Sequence, residues 1–316
     1  MYNPVSTYRI QFHKGFTFNH FEKIIPYLQK LGVGAIYASP IFSAVSGSMH
    51  GYDGINPLCI NPEIGTEEQL REICKKLDES GIGWIQDIVP NHMAFSPDNE
   101  WLADVLEKGK KSKWYNYFDI IENPKLDNRL MVPFLGAPLE DAIGKGDLKI
   151  AVKNGRLGLQ YFDFVYPVKP ASYTRILEGE NIPDEIRQFT EAAKSGNENL
   201  RDWLTSLMGN DLTRSYIEDR LAKINASEKD IIRITGEQEY RLCHWEETNT
   251  RINYRRFFTV NSLICLNIQN GEVFNYYHSY IKKLTEEGVF KGLRIDHIDG
   301  LYDPTVYLER LRELVG

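Results

Sequence analysis

The first ninety residues alternate between two hydrophobic periods, and this restricts the fold more than any other feature of the chain. VSTYRIQF (5–12), VGAIYASPI (33–41) and IGWIQDIV (82–89) are short runs rich in β-favouring residues. Two amphipathic stretches separate them. In the first, Phe21, Ile24, Ile25, Leu28 and Leu31 share a helical face. Asn19-x-x-Glu22 is its start signal, Gly32 its stop, and Pro26 predicts a kink. In the second, Thr66 and Gln69 fit a capping box ahead of the stripe Leu70, Ile73, Cys74 and Leu77. Strands joined through helices run parallel, with right-handed crossovers and a helix packed against the sheet in each unit. The predicted fold class is therefore α/β.

The rhythm breaks at PNHMAF (90–95) and returns near residue 270. Between lie short strand-like pieces, LKIAV and LGLQYFDFVYPV, and helices such as EIRQFTEAAKSG and SYIEDRLAKI. This predicts a large, mostly helical insertion after the third strand. Then EVFNYYHSYIKKLTEEG predicts a helix, FKGLRID a fourth strand, and DPTVYLERLRELVG a helix with Asp303 as N-cap and Pro304 in its first turn. The expected division is 1–92 for three β/α units, 93–250 for the inserted domain and 251–316 for the fourth unit. Four such units are half of a TIM (β/α)8 barrel, incomplete in this chain, and open edges on the first and fourth strands would invite self-association.

The chemistry concentrates at two strand ends. In GLRIDHIDGLYDP (292–304), alternation puts Gly292, Arg294 and Asp296 on one face and Leu293 and Ile295 on the other. In a barrel the polar face points inward at the C-terminal mouth, where barrel active sites form. A guanidinium one strand-step away favours an ionised carboxylate, and a buried strand would keep it dry, as a carboxylate nucleophile requires. Alone, such an Arg-Asp pair is more often structural than catalytic. The third strand repeats the pattern: Asp87, Val89 and Asn91 share a face, and His92 follows where strand becomes loop. Asp299 and Asp303 read as turn and cap residues.

Composition narrows the partners. A formal net charge of −7 gives no reason to expect nucleic acid or an anionic membrane. Cys59, Cys74, Cys243 and Cys265 lack metal-type spacing and read as reduced core thiols of a cytoplasmic protein. MYNPVSTYRIQF has no basic segment followed by an apolar one, and no apolar run is long enough to span a bilayer. The 18 Tyr, 15 Phe and 5 Trp suit either sugar faces or a core, and most are expected in the core.

DIVPNH (87–92) and GLRIDH (292–297) resemble the first and second sequence regions of the α-amylase superfamily, and HGYD (50–53) is similar to its aromatic turn after the second strand. STYRIQFHKGFTF, IYASPIFSAVSGSMHGYD, YRLCHW, INYRRFF and GLRIDHIDGLYDP resemble segments of the maltooligosyltrehalose synthase family within it, in order and spacing, across essentially the whole chain. FFTVNSL departs from that pattern, with Thr259 at a usually acidic position. The resemblance implies a retaining α-glucan enzyme on a TIM barrel, acting on maltooligosaccharides without a cofactor. It makes Asp296 the nucleophile and Arg294 its charge partner. It places Asp87 and His92 in the pocket of the transferred sugar, Tyr52 beneath that ring with His50 and Asp53 flanking, and His297 toward the acceptor. Asn91 aligns with a calcium ligand of many amylases, but the implied family needs no metal and none is expected.

The implied reaction moves the reducing-end glucose internally, turning an α-1,4 link into an α,α-1,1 link by double displacement. The general acid of the superfamily is a glutamate at the end of a fifth strand, beyond Gly316, so this chain alone is expected to be inactive. The alternatives are an α-amylase-type α-glucan hydrolase and a non-catalytic α-glucan-binding module.

Overall fold

The computed structural model describes residues 2–316. They divide into two compact units, one of residues up to Asn99 with Tyr117–Asp119 and Arg256–Gly316, the other of Glu100–Asn116 with Ile120–Arg255. The boundaries expected at 92 and 251 therefore shift. The reason is pairing: His92–Ala94 forms an antiparallel ladder with Leu263–Cys265, and Phe118 bridges Leu266.

In the first unit, Thr7–Ile10, Ala35–Ala38, Gly83–Ile88 and Gly292–Ile295 form one parallel sheet in chain order. These are the four predicted strands, trimmed at their ends. The first helical stretch differs from expectation. It is two helices, Phe18–Glu22 and Ile25–Leu31, and the first is capped by Thr17, not Asn19. The Thr17 hydroxyl and backbone N–H both meet His20 Nδ1, at 2.9 and 3.2 Å. Pro26 causes no kink, because it falls in the first turn of the second helix, where an N–H has no intrahelical acceptor. Helix Glu67–Glu79 has its predicted capping box: Gln69 N–H donates to Thr66 Oγ1 at 3.2 Å and Thr66 N–H to Gln69 Oε1 at 3.0 Å. Asp303 Oδ1 likewise accepts from Val306 N–H at 3.0 Å, ahead of helix Pro304–Val315.

The core of this unit is aromatic. Phe12 stacks on Trp84 at 5.7 Å and meets Phe18 and Phe21 edge-on at 5.1 and 5.5 Å, and all four rings are buried. They fasten the first and third strands to the helix at Phe18–Glu22.

Two departures bear on the site. Phe42–Ala44 pairs antiparallel with Gly54–Ile60, an element with no clear signal in the sequence, and residues 45–53 form the loop at its tip. On that ladder Cys59 is exposed, not a core thiol; it lies in the irregular stretch between the Ser43–Asn56 and Phe42–Ile60 pairs. The fourth strand is the other: among the described residues it pairs with the third, and the Arg294 side chain is 44% exposed, not buried as the apolar run suggests.

The second unit holds a three-stranded antiparallel sheet (Leu148–Lys153, Arg156–Tyr161, Phe164–Pro167) and a parallel pair, Leu130–Leu135 with Tyr240–His244. Helices including Asp184–Ser195, Leu200–Gly209 and Asp211–Asn225 make up much of the remainder. Its core gathers Tyr166, Tyr173, Phe189 and Tyr240. Among the described residues, no helix is long and apolar enough to cross a membrane.

Candidate active site

Register assembles the site. Arg9 pairs with Tyr37 across the first two strands, Tyr37 with Ile85, and Asp87 with Arg294. Asp87 thus lies one alternation beyond Tyr37's partner on the same face, within reach of its phenol. The Tyr37 hydroxyl donates to Asp87 Oδ2 at 2.7 Å, and the Tyr52 hydroxyl donates to the same oxygen at 2.7 Å. Arg294 Nη1 lies 3.0 Å from Asp87 Oδ1 and 3.1 Å from Oδ2, and 2.5 Å from Asp296 Oδ1. One guanidinium nitrogen therefore ties two carboxylates together.

Asp87 is completely buried, whereas the Asp296 side chain keeps 19% of its surface. Burial pushes the Asp87 carboxyl up, against Tyr52, Tyr37 and Arg294, which all favour the ionised form. Burial also raises both phenols, and their bonds to Asp87 raise them further, so both remain donors. Burial works against the Arg294 charge, but Asp87 and Asp296 outweigh it and raise its pKa. Asp87 is fully buried, and its two oxygens accept from the Tyr37 and Tyr52 hydroxyls and from Arg294. Asp296 is the accessible carboxylate of the pair.

Asp296 N–H donates to Ile88 O at 2.9 Å, extending the ladder one residue past the strand, and the chain then turns sharply at His297, whose φ is +48°. The His297 ring lies 4.6 Å from Phe257 and 4.8 Å from Phe258, with Nδ1 3.3 Å from Asp299 Oδ1. Gly300 makes room for it: a Cβ there would stand 2.3 Å from His297 Nε2.

His92 is buried beside Phe257, with centroids 4.6 Å apart. Its Nε2 sits 3.2 Å from Tyr52 O and its Nδ1 3.3 Å from Asn91 Nδ2. A carbonyl can only accept and an amide NH₂ can only donate, so these contacts select the Nε2–H tautomer. Burial lowers the His92 pKa to about 4, although Asp296 pulls it upward, so the imidazole is neutral at neutral pH.

The 45–53 loop carries the remaining predicted residues. Tyr52 is half-buried, its hydroxyl committed to Asp87. His50 is half-exposed, and its Nδ1 accepts Tyr52 N–H at 3.0 Å. Asp53 accepts from Ser48 Oγ at 2.5 Å, and the same oxygen of Ser48 accepts Gly51 N–H at 3.1 Å, so Asp53 braces the turn. Gly51 lets the loop close: its φ is +78°, and a Cβ would lie 2.3 Å from Pro40 O. Gln11 Nε2 donates to Met49 O at 2.7 Å, holding the loop to the end of the first strand.

Tyr37, Arg9, Phe257 and Phe258 also belong to this neighbourhood and were not among the predicted residues. Arg9 and Arg294 place their guanidinium carbons 5.8 and 5.9 Å from the Tyr37 ring. Tyr37 has the alternation of Asp87 within its own strand, a signal strong enough to have found it. The two phenylalanines have no such signal, because a turn delivers them. The assembled site offers an accessible carboxylate fixed by a guanidinium, beside a neutral imidazole and aromatic rings. That set suits attack on an anomeric carbon.

Residues 21–140 match the family model described as "Alpha amylase, catalytic domain". A Mycobacterium tuberculosis protein provisionally named maltooligosyl trehalose synthase is 32% identical over 99% of this chain, which spans 33% of that protein. Among solved structures, a glycosyltrehalose synthase superposes with a TM-score of 0.76 at 34% identity, covering 99% of this chain and 36% of its own. The maltooligosyltrehalose synthase of Arthrobacter ramosus does so with a TM-score of 0.73 at 30% identity, over 99% of this chain and 33% of its own. The chain thus spans about a third of the length of the relatives it matches. These likenesses establish a TIM-barrel-type α/β fold for the first unit's parallel sheet. By sequence and by fold, these residues are similar to about a third of the maltooligosyltrehalose synthases they match, and residues 21–140 to the α-amylase catalytic domain.

Proposed function

We propose that this chain carries the nucleophile half of a retaining α-glucan transglucosylation site, acting in the conversion of a reducing-end α-1,4 link of a maltooligosaccharide into an α,α-1,1 link. The observation that carries the reading is the shared guanidinium: Arg294 Nη1 holds buried Asp87 and presents Asp296 at the surface of the strand end. Asp296 attacks C1 and forms a glycosyl ester while the displaced glucose stays bound. The anomeric hydroxyl of that glucose then attacks the ester, giving the new link with net retention. His92 and Tyr52 shape the donor pocket, and His297 stands on the acceptor side. Asp87 and Tyr37 act through Arg294 and Tyr52 and are positioning residues.

The proton donor for the leaving oxygen is, in this reading, supplied from outside these residues. Asp87 is the carboxylate joined to Asp296 through Arg294, and it is buried with its oxygens occupied by two phenols and the guanidinium. General acid catalysis is commonly worth about 10²- to 10⁴-fold, so the chain by itself binds α-glucan but turns it over negligibly. Incubation with maltopentaose tests this. The expected result is saturable binding with no non-reducing product. Rapid formation of such a product would overturn the assignment of the acid, and release of new reducing ends would favour an α-glucan hydrolase.

A further inference from the structure

We infer that Phe258 is a substrate-contacting residue, an aromatic platform for a pyranose ring on the His297 side of Asp296. The inference rests on the α-glucan reading above and assigns one residue to it. Phe258 shares a positive φ and strong exposure with Phe162, which sits at a hairpin turn of the second unit, and is set apart from it by its place beside His297. Its φ is +48°, a left-handed backbone that bulky residues rarely adopt and that costs roughly 1–3 kcal/mol. Its side chain is also 68% exposed, so little burial offsets that strain.

The turn that carries it is rigidly made. Phe257 N–H donates to Leu263 O at 3.1 Å, Val260 N–H to Phe257 O at 2.9 Å, and Leu263 N–H to Val260 O at 3.2 Å. Arg256 Nη1 bonds Asn261 Oδ1 across the turn, and Phe95 N–H reaches Ser262 O at 2.7 Å. Phe258 is therefore presented in a fixed orientation. It stands edge-on to Phe257 at 4.6 Å and 4.8 Å from the His297 ring, and His297 directly follows Asp296. Phe257 in turn touches His92 and His297, so four rings make one continuous rim beside the accessible carboxylate. Phe258 is the strongly exposed member of that rim, and an exposed aromatic face suits the C–H face of a sugar.

The test compares maltopentaose binding to the 316-residue chain and to two variants by calorimetric titration, with melting temperature followed in parallel. Phe258→Gly removes the ring while keeping a residue at ease at positive φ, and Phe258→Tyr keeps the ring. Binding about tenfold weaker in Phe258→Gly, largely retained in Phe258→Tyr, without a lower melting temperature in either, is the expected outcome. Unchanged affinity in Phe258→Gly overturns the platform and leaves the α-glucan reading intact. A melting temperature lowered by several degrees with unchanged affinity overturns it too, by making the ring a packing residue. Absence of maltooligosaccharide binding by the unmodified chain overturns the α-glucan reading and this inference together.

Discussion

Gly300→Ala probes the strained turn after Asp296 most sharply. A Cβ at this position would lie 2.3 Å from His297 Nε2, 2.4 Å from Cδ2 and 3.2 Å from Asn91 Oδ1. Ordinary contact needs about 3.5 Å, so the ring must move by roughly 1 Å or more. Phe257 and Phe258 block two directions, and the His297 backbone is already left-handed. Overpacking of this kind costs about 1–3 kcal/mol. The assay is urea denaturation of a double-mutant cycle with His297→Ala. With the ring gone, Gly300→Ala should cost less than about 0.5 kcal/mol, and the coupling should recover most of the single-variant loss. A loss above about 1 kcal/mol in both backgrounds would refute the reasoning, because the methyl group would then be clashing with something other than the imidazole.

Tyr37→Phe and Tyr52→Phe should each cost about 0.5–1.5 kcal/mol in urea denaturation, since either phenol can still serve Asp87 Oδ2. The double variant should lose more than the sum, and strict additivity would show that the two do not share an acceptor. Stability should also fall as pH drops from about 6.5 to 4. Burial lowers both His92 and His278 to about 4, so across that window the unfolded chain binds protons the native chain refuses. This amounts to roughly 3 kcal/mol per histidine at the foot of the window, with the raised Asp87 carboxyl acting in the opposite direction. Replacing His278, whose Nδ1 lies 2.7 Å from Phe274 O and Nε2 2.8 Å from the Tyr307 hydroxyl, by Leu should flatten the pH slope. An unchanged slope would contradict a neutral buried imidazole there.

The strands were legible because their signals are local. Alternation in IYASPI, IGWIQDIV and GLRID fixes which residues share a face, and parallel register does the rest, which is how Arg294 comes to oppose Asp87. What alternation cannot convey is depth. The Arg294 side chain is 44% exposed although its strand reads as buried, while Asp87 opposite it is fully buried. Asp53 reads as a site residue and proves to brace a turn, because its partner Ser48 belongs to a loop whose closure depends on Gly51 approaching Pro40. Phe257 and Phe258 were illegible for a related reason. Their place beside His297 is set by the pairing of residues 92–94 with 263–265, some 170 positions apart in the chain, and no periodicity announces it. Pro26 shows the opposite case, in which a helix-breaking signal is correct but marks a start instead of a kink.

The central claim is that Asp296 forms a glycosyl ester. Because a fluoride leaving group departs with little acid assistance, a ring-fluorinated maltosyl fluoride probes that step even where the proton donor is absent. The measurement is intact-protein and peptide mass spectrometry after incubation. The account predicts a single adduct that maps to the peptide containing Asp296, is absent in Asp296→Asn, and is slowed when Arg294 is replaced by Lys. No adduct on the unmodified chain, or one that maps to Asp87 or survives Asp296→Asn, would contradict it.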